Sequence, residues 1–304
     1  MPVEVSVIIP TRDALAWLPG AIASIGPDPR VEILVVDDGS TDGSLEFLAN
    51  LAQSDPRLRI LQGGGRGPSR ARNRGIALAR GRYCAFLDAD DRWAPGKMDA
   101  QLAFHKANPD IGFSFTDYRH VSTAGADLGP CFNFWTRFAG RHGSRTEPFR
   151  LDRPLSTLFA ENIVGTSTVM ARTDLLLHAG GFSTMLISAE DWELWLALAV
   201  RAPVGVVPGL YADYLMHRPG NMTGKMASRV LAMQAIAARY RPTAEAEDRD
   251  APRTLDARMA AARAEIADAA GAKLQATLLR LKALAKAPSR RTAYDLAGSL
   301  LRTA

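Results

Sequence analysis

Tyr83–Asp91 reads YCAFLDADD, an apolar run that ends on three carboxylates, Asp88, Asp90 and Asp91. A short apolar run rich in aromatic and small residues, bounded by polar ones, is the signature of a fully buried strand. Its carboxylates then sit at the strand's carboxyl end. Like charges this close repel and raise each other's pKa, so solvent, a basic neighbour or a bound cation must offset them. Asp88 and Asp90 would share a face if the strand continued, and a turn after Leu87 would bring Asp91 in as well.

Working outward, the same grammar repeats. VSVIIP (5–10) reads as a buried strand stopped by Pro10, and Leu15, Leu18 and Ile22 carry helical spacing over 14–24. VEILVVD (31–37) is a second strand. DGSTDGS is turn chemistry in which Thr41 or Asp42 would cap a helix over 44–51. A short strand follows at 58–61, then the loop GGGRGPS, with Pro68 suited to the first turn of a helix over 69–79. After the opening stretch come a helix over 95–108 and the strand IGFSFTD. Strands alternating with helices imply a largely parallel sheet covered on both faces. Ligands of such sheets bind outside the carboxyl ends of the strands. The clusters Thr11-Arg12-Asp13, Asp37-Asp38-Gly39-Ser40 and Asp88–Asp91 should therefore converge on one edge.

The remainder is less regular. Residues 125–152 are rich in aromatics, Gly and Arg, and read as a long loop or lid. NIVGTSTVMAR (162–172) reads as a strand, followed by a short helix and Gly180-Gly181. A helix starts near Asp191, and strands are expected over 204–207 and 211–216. Beyond Met226 the composition shifts to Ala, Arg, Leu and Glu. That divides the chain into residues 1–226 and a helical appendage over 227–304, with a polar hinge near 241–250.

The 304 residues are 47% hydrophobic and 23% charged, ordinary for a globular protein with a substantial core. A net charge of +5 favours polyanionic partners: phosphorylated ligands, nucleic acid or an anionic membrane. The two cysteines, Cys84 and Cys131, form no metal or redox motif and fit a reducing cytoplasm. MPVEVSVIIPTR lacks a basic region followed by an apolar stretch, and no apolar run approaches the ~20 residues of a spanning helix. In the tail, Leu274, Leu278 and Leu281 follow three-four spacing among Lys273, Arg280, Lys282, Lys286, Arg290 and Arg291. Basic amphipathic helices lie on anionic membranes; packing on residues 1–226, or on a second copy, is the competing use.

Several motifs carry chemistry. Mg²⁺ and Mn²⁺ take hard oxygen ligands, and Mg²⁺ keeps to one or two carboxylates plus phosphates and water. Asp88-Ala-Asp90 offers such an incomplete cage; a strand-end turn or helix cap is the plainer reading. GGGRGPSRARNRG is a Gly-rich loop running into an Arg-rich helix. It is not a Walker motif, since no Gly-Lys-Ser/Thr follows. Ser69, Arg72, Asn73 and Ile76 share one helix face, and an Arg beside a helix start suits a diphosphate. EDWELW (190–195) sets two acids at a helix start, favourable for the dipole or useful as a general base. HRPGNMT (217–223) sets His217 and Arg218 in a loop after a strand.

In this order the motifs PTRD, VVDDGSTDGS, GPSRARNRG, FLDADD, EDWELW and HRPGNMT resemble the inverting family 2 glycosyltransferases over about residues 3–223. The resemblance implies a GT-A fold, a Rossmann-like α/β arrangement with a mixed, mostly parallel sheet flanked by helices. It implies a nucleotide-sugar donor, UDP-linked in most members, and Mn²⁺ or Mg²⁺ as cofactor. The acceptor would be a glycan or lipid-linked hydroxyl, as in bacterial surface polysaccharide synthesis; nucleic acid is not a partner. Carried over by motif, Thr11 and Asp38 contact the nucleobase and Arg72 lies near the nucleotide. Asp88 and Asp90 form the Asp-x-Asp pair, with Asp90 the more direct metal ligand. Asp191 is the base, and His217 helps close over the diphosphate. Arg12 departs from the family, standing where many relatives carry an aromatic residue. The different-class alternative is a non-catalytic sugar-nucleotide binder or interaction protein on the same scaffold. The expected location is the cytoplasm or the inner face of a membrane, with the C-terminal helices available for self-association.

Overall fold

The computed structural model describes residues 2–216 and 226–303, the side chains of 290, 291 and 301–303 excepted. The first strands, β1 (Val5–Thr11), β2 (Val31–Asp37), β3 (Leu58–Gln62) and β4 (Tyr83–Phe86), alternate with α1 (Leu18–Ser24), α2 (Ser44–Ala52) and α3 (Pro68–Leu78). Next come β5 (Arg92–Trp93), α4 (Lys97–Ala107), β6 (Phe113–Ser122), β7 (Asp127–Pro130), α5 (Cys131–Phe134), α6 (Thr136–His142), β8 (Phe149–Arg150) and α7 (Pro154–Ala160). A 3-10 turn, Thr166–Thr168, precedes β9 (Met170–Arg172), α8 (Thr173–Ala179), α9 (Glu190–Ala199) and β10 (Val204–Met216). The helices α10 (Met226–Glu247), α11 (Ala251–Ala269), α12 (Lys273–Lys286) and α13 (Arg290–Thr303) close the chain.

The sheet order is β3-β2-β1-β4-β9-β6-β10-β5, with β7 on β6 and β8 on β10. β3, β2, β1 and β4 are mutually parallel, as are β6 and β10, while β9 runs antiparallel between the two groups. The register pairs Thr11 with Asp37 and Asp37 with Gln62, so these carboxyl ends are level on one edge. Alternation along β1 divides the interior. Ile8 joins Leu34, Phe86, Ile76 and Trp195 on one face; Val7 and Ile9 join Leu18, Val35, Leu48 and Leu102 on the other. A Cβ on Gly75 would come within 2.5 Å of Ile8, so the glycine lets α3 lie against β1.

Four sequence expectations change. Residues 125–152 are not a long loop. They fold as β7, α5, α6 and β8, and Phe132, Phe138 and Leu151 enter the core. The strand expected over 162–172 survives only as β9, because Gly165 leads into the 3-10 turn. The two strands expected over 204–216 are one, β10, with register shifts between Val207 and Leu210 and between Leu210 and Asp213. The hinge near 241–250 narrows to the turn after α10, which runs through Pro242 to Glu247. Met233, Ile236, Tyr240 and Leu255, beyond the expected boundary at 226, share a core cluster with Trp192 and Trp195. Outside that cluster, α12 rests on α11 mainly through alanines. No described helix is long and apolar enough to cross a membrane.

Candidate active site

Thr11 ends β1, Asp38 follows β2 and Asp88 follows β4, and the Asp38 N–H donates to the Thr11 carbonyl at 2.8 Å. The two polar loops lock together. The Thr41 N–H donates to Asp13 Oδ1 at 2.7 Å, and the Leu15 N–H to Asp42 Oδ2 at 2.8 Å. Gly43, not Thr41 or Asp42, occupies the cap position of α2, but Asp42 Oδ1 still accepts from the Ser44 N–H at 3.0 Å. The Gly-rich loop is fastened to the end of β2. Asp38 accepts from the Arg66 N–H (3.0 Å) and the Gly67 N–H (2.7 Å), one on each carboxylate oxygen. Among the described residues, the buried Thr11 Oγ1 and Asp37 Oδ1 have no hydrogen-bond partner. Buried orphans are rare and call for an explanation.

Arg72 is the centre of the arrangement. It faces inward from α3 and is 6% exposed. Its Nη2 donates to Asp88 Oδ1 at 2.6 Å, its Nη1 to Glu190 Oε1 at 3.3 Å, and its guanidinium lies 5.2 Å from the Phe182 ring centroid. The neighbouring carboxylates raise its pKa further, against the effect of burial. Asn73, on the same face, fixes the approach. It donates to the Phe182 carbonyl at 2.8 Å and accepts from the Phe182 N–H at 2.7 Å. Ser69, Arg72 and Ile76 are buried as their spacing requires, with Asn73 half-buried.

The opening acidic stretch now divides by environment. Strand β4 stops at Phe86, and the Asp91 N–H closes a turn onto the Asp88 carbonyl at 3.0 Å. Asp88 and Asp90 are half-buried on that turn. Asp91 points into the protein. It accepts from Ser167 Oγ at 2.5 Å and from the Leu215 N–H at 3.1 Å. Burial, then the charges of Asp90 and Asp88, push its pKa well up. The repulsion is therefore met in two ways: Arg72 pairs Asp88, and Asp91 is held in a buried site that disfavours its charge.

Asp191 and Glu190 open α9, after Ala189 in the left-handed region at φ 60°. Asp191 accepts from the Trp192 N–H at 2.7 Å and from Thr166 Oγ1 at 3.1 Å. Glu190 turns to Arg72. Burial and the adjacent Asp191 raise its pKa, and Arg72 opposes the rise. Arg72 thus bridges the two acidic motifs, which lie 16 and 118 residues after it in the sequence. Thr166 and Ser167 do the same from below: Ser167 Oγ also accepts from the Asp88 N–H at 3.0 Å. Neither residue stands out in the sequence; the signal there is a Gly-Thr-Ser-Thr run where a strand is expected. His217 and the rest of its motif lie outside the described residues. Among the described residues, no group of three or more His, Cys, Asp or Glu side chains is disposed to hold a metal.

Comparisons with known proteins agree with this frame. Residues 6–150 match the model described as glycosyl transferase family 2. An uncharacterized glycosyltransferase of Rickettsia felis is 33% identical over 207 residues, 66% of this chain and 31% of that protein. The chain spans about a third of the length of the curated relatives it matches first. Among solved structures, the mannosyltransferase PcManGT of Pyrobaculum calidifontis, in complex with GDP-Man and Mn²⁺, has a TM-score of 0.67. The identity is 20%, over 100% of this chain and 83% of that one. S. aureus TarS 1–349, in complex with UDP-GlcNAc, has a TM-score of 0.61 at 18% identity, over 93% of this chain and 89% of that one. The fold is the GT-A fold.

Proposed function

Over residues 6–150 the chain belongs to glycosyl transferase family 2, and from that premise we propose that it moves a sugar from a nucleoside-diphosphate sugar to an acceptor hydroxyl. The reading takes the donor as a UDP-sugar, the acceptor as a glycan or lipid-linked hydroxyl, and the outcome as inversion. The observation that carries it is the Arg72 bridge. One buried cation gathers the Asp-x-Asp turn and the Glu-Asp helix at the carboxyl edge of a parallel sheet, where nucleotides bind.

In this reading Asp191 is the general base. The Thr166 and Trp192 donors orient its carboxylate and leave lone pairs for the acceptor proton. Glu190, turned to Arg72, is a positioning residue. Asp38 meets the nucleobase: each of its oxygens accepts one loop N–H and retains a lone pair for a ring N–H. Uracil and guanine both offer one. The orphaned Thr11 hydroxyl supplies a second contact. Arg72 lies beside the nucleotide as the counter-charge of Asp88, and His217 is assigned to the diphosphate by its motif. A single displacement requires no second protein nucleophile.

The donor set fits a divalent cation. Asp88 and Asp90 put hard oxygens on one turn while Asp91 is turned away. Two carboxylates completed by phosphate oxygens and water are what Mg²⁺ and Mn²⁺ accept. When bound, the cation supplies stabilisation of the negative charge on the departing diphosphate.

A thermal-shift and hydrolysis screen of UDP-, GDP- and dTDP-sugars, with and without Mn²⁺, tests the reading. One nucleotide series should raise the melting temperature with Mn²⁺ and lose that effect in EDTA. If no nucleotide sugar stabilises the protein or is turned over under either condition, the proposal fails.

A further inference from the structure

Helix α12 is mounted inside out. Its inward face is built on Ala276, Arg280 and Ala283, packed on Ala257, Ala260, Ala264 and Ala267 of α11, with Leu279 half-buried at its edge. Its leucines at 274, 278 and 281 point the other way: Leu274 is 74% exposed, Leu278 58% and Leu281 52%. A helix that completes a globular core buries its large apolar residues and presents small or polar ones to water. Here the spacing i, i+4, i+7 makes the exposed leucines one continuous stripe, and contiguous apolar stripes mark contact surfaces.

The charge around the stripe selects the partner. Helix α12 itself carries four cations, Lys273, Arg280, Lys282 and Lys286, and no acid. Arg280 pairs with Asp268 and Lys286 with Asp256. Lys282 is exposed on the flank of the stripe. A second copy laid on this face would bring one basic segment against another, at a Coulombic cost. An anionic lipid surface takes both features, the leucines among acyl chains and the cations among headgroups. We infer that the leucine stripe of α12, with its basic surroundings, seats the protein on an anionic membrane. The argument stands on α12 itself and does not depend on the transferase reading. If both hold, the surface brings the sheet edge to a lipid-linked acceptor.

The test is flotation of the full chain with vesicles of phosphatidylglycerol and phosphatidylcholine (1:1), and with phosphatidylcholine alone. Wild type should float with the anionic vesicles only. The triple variant Leu274→Ser, Leu278→Ser, Leu281→Ser should lose at least ~10-fold in partitioning, and Lys282→Glu should lose less. The leucines are exposed, so the triple variant should keep the wild-type melting temperature and nucleotide response. That response tells failure of the membrane proposal from failure of the transferase reading. Equal flotation of wild type and triple variant overturns the inference. So does a wild-type dimer by light scattering that becomes a monomer in the triple variant while neither floats.

Discussion

Replacing Arg72 by Met keeps an unbranched, flexible side chain and removes a buried charge that serves both acidic motifs. The magnitude follows from burial. Taking one partner out of a buried ion pair costs about 3–5 kcal/mol, because the remaining charge is left without compensation. Asp88, 24% exposed at the side chain, can draw solvent and so lowers that figure, while Glu190 at 12% cannot. About 2–4 kcal/mol is the expected loss near neutral pH. At ~2–4 °C per kcal/mol for a chain of this size, the melting temperature falls by roughly 4–16 °C.

The loss should depend on pH, with a sign fixed by Glu190. Its folded-state pKa is already raised, with Arg72 opposing the rise, so removing Arg72 raises it further. Between the unfolded value and that raised value the native state binds more protons than the unfolded one. The variant's stability therefore recovers as the pH falls through this window. Thermal unfolding of wild type and Arg72→Met at about pH 7.5 and about pH 5.5 measures both effects. Adding Glu190→Gln completes a double-mutant cycle, with an expected coupling of at least ~1 kcal/mol. A melting temperature within about 1 °C of wild type, or a deficit equal at both pH values, would refute the account of Arg72 as the shared counter-charge.

Three further outcomes follow from the same geometry. Asp191→Asn should cut transfer by ~10²–10⁴-fold with donor affinity nearly unchanged, and Glu190→Gln should be milder; transfer assays with a competent acceptor, paired with donor calorimetry, decide it. Asp90→Ala should abolish the Mn²⁺-dependent part of nucleoside-diphosphate binding while the fold survives, and calorimetry that gives the same affinity with and without EDTA in wild type would contradict it. Lys97, 1% exposed, has its pKa lowered from 10.5 to about 7 by burial, so the unfolded chain binds the extra proton between those values and wild-type stability rises with pH across that window. Lys97→Met should stabilise the protein by ~1–3 kcal/mol at about pH 6, after allowing for the hydrogen bond to Gln101 and the cation–π interaction with Trp93 that the lysine makes, and a variant less stable than wild type at that pH would refute this.

The first four strands are legible because each is a run of branched and aromatic residues interrupted by Gly, Pro and Asp. The strand ends then locate Thr11, Asp38 and Asp88 on one edge without reference to coordinates. The illegible parts have no local period to show. Helix α5 has 4 residues and α6 has 7, too few for a helical repeat to emerge from 125–152. Pro208-Gly209 reads as a chain break, yet β10 absorbs it as an irregularity in register. Thr166–Thr168 carries strand-like composition, but its hydroxyls are committed to Asp191, Asp91 and the Gly165 carbonyl. Those bonds span 76 residues in the case of Ser167 and Asp91, and no spacing rule reaches that far.

The pairing pattern also separates two acids that the sequence leaves side by side. Glu190 and Asp191 share a helix start and differ by one methylene, so helix position alone does not assign a base. Their partners differ in kind. Glu190 faces a cation in a buried site, and moving a proton onto it would uncouple Arg72 from α9 while Asp88 still holds the other end. Asp191 faces a hydroxyl and an amide N–H, both neutral, and gaining a proton there breaks no ion pair. A proton acceptor that must load and unload in every cycle is better placed where protonation leaves the surrounding charges paired. On this argument Asp191 takes the acceptor proton while Glu190 holds Arg72, and through it the Asp-x-Asp turn, in register with α9. The division predicts that Glu190→Gln acts on the geometry of Asp88 and so on donor binding, whereas Asp191→Asn acts on turnover alone. The opposite split would reverse the assignment: donor affinity lost with Asp191→Asn, turnover alone lost with Glu190→Gln.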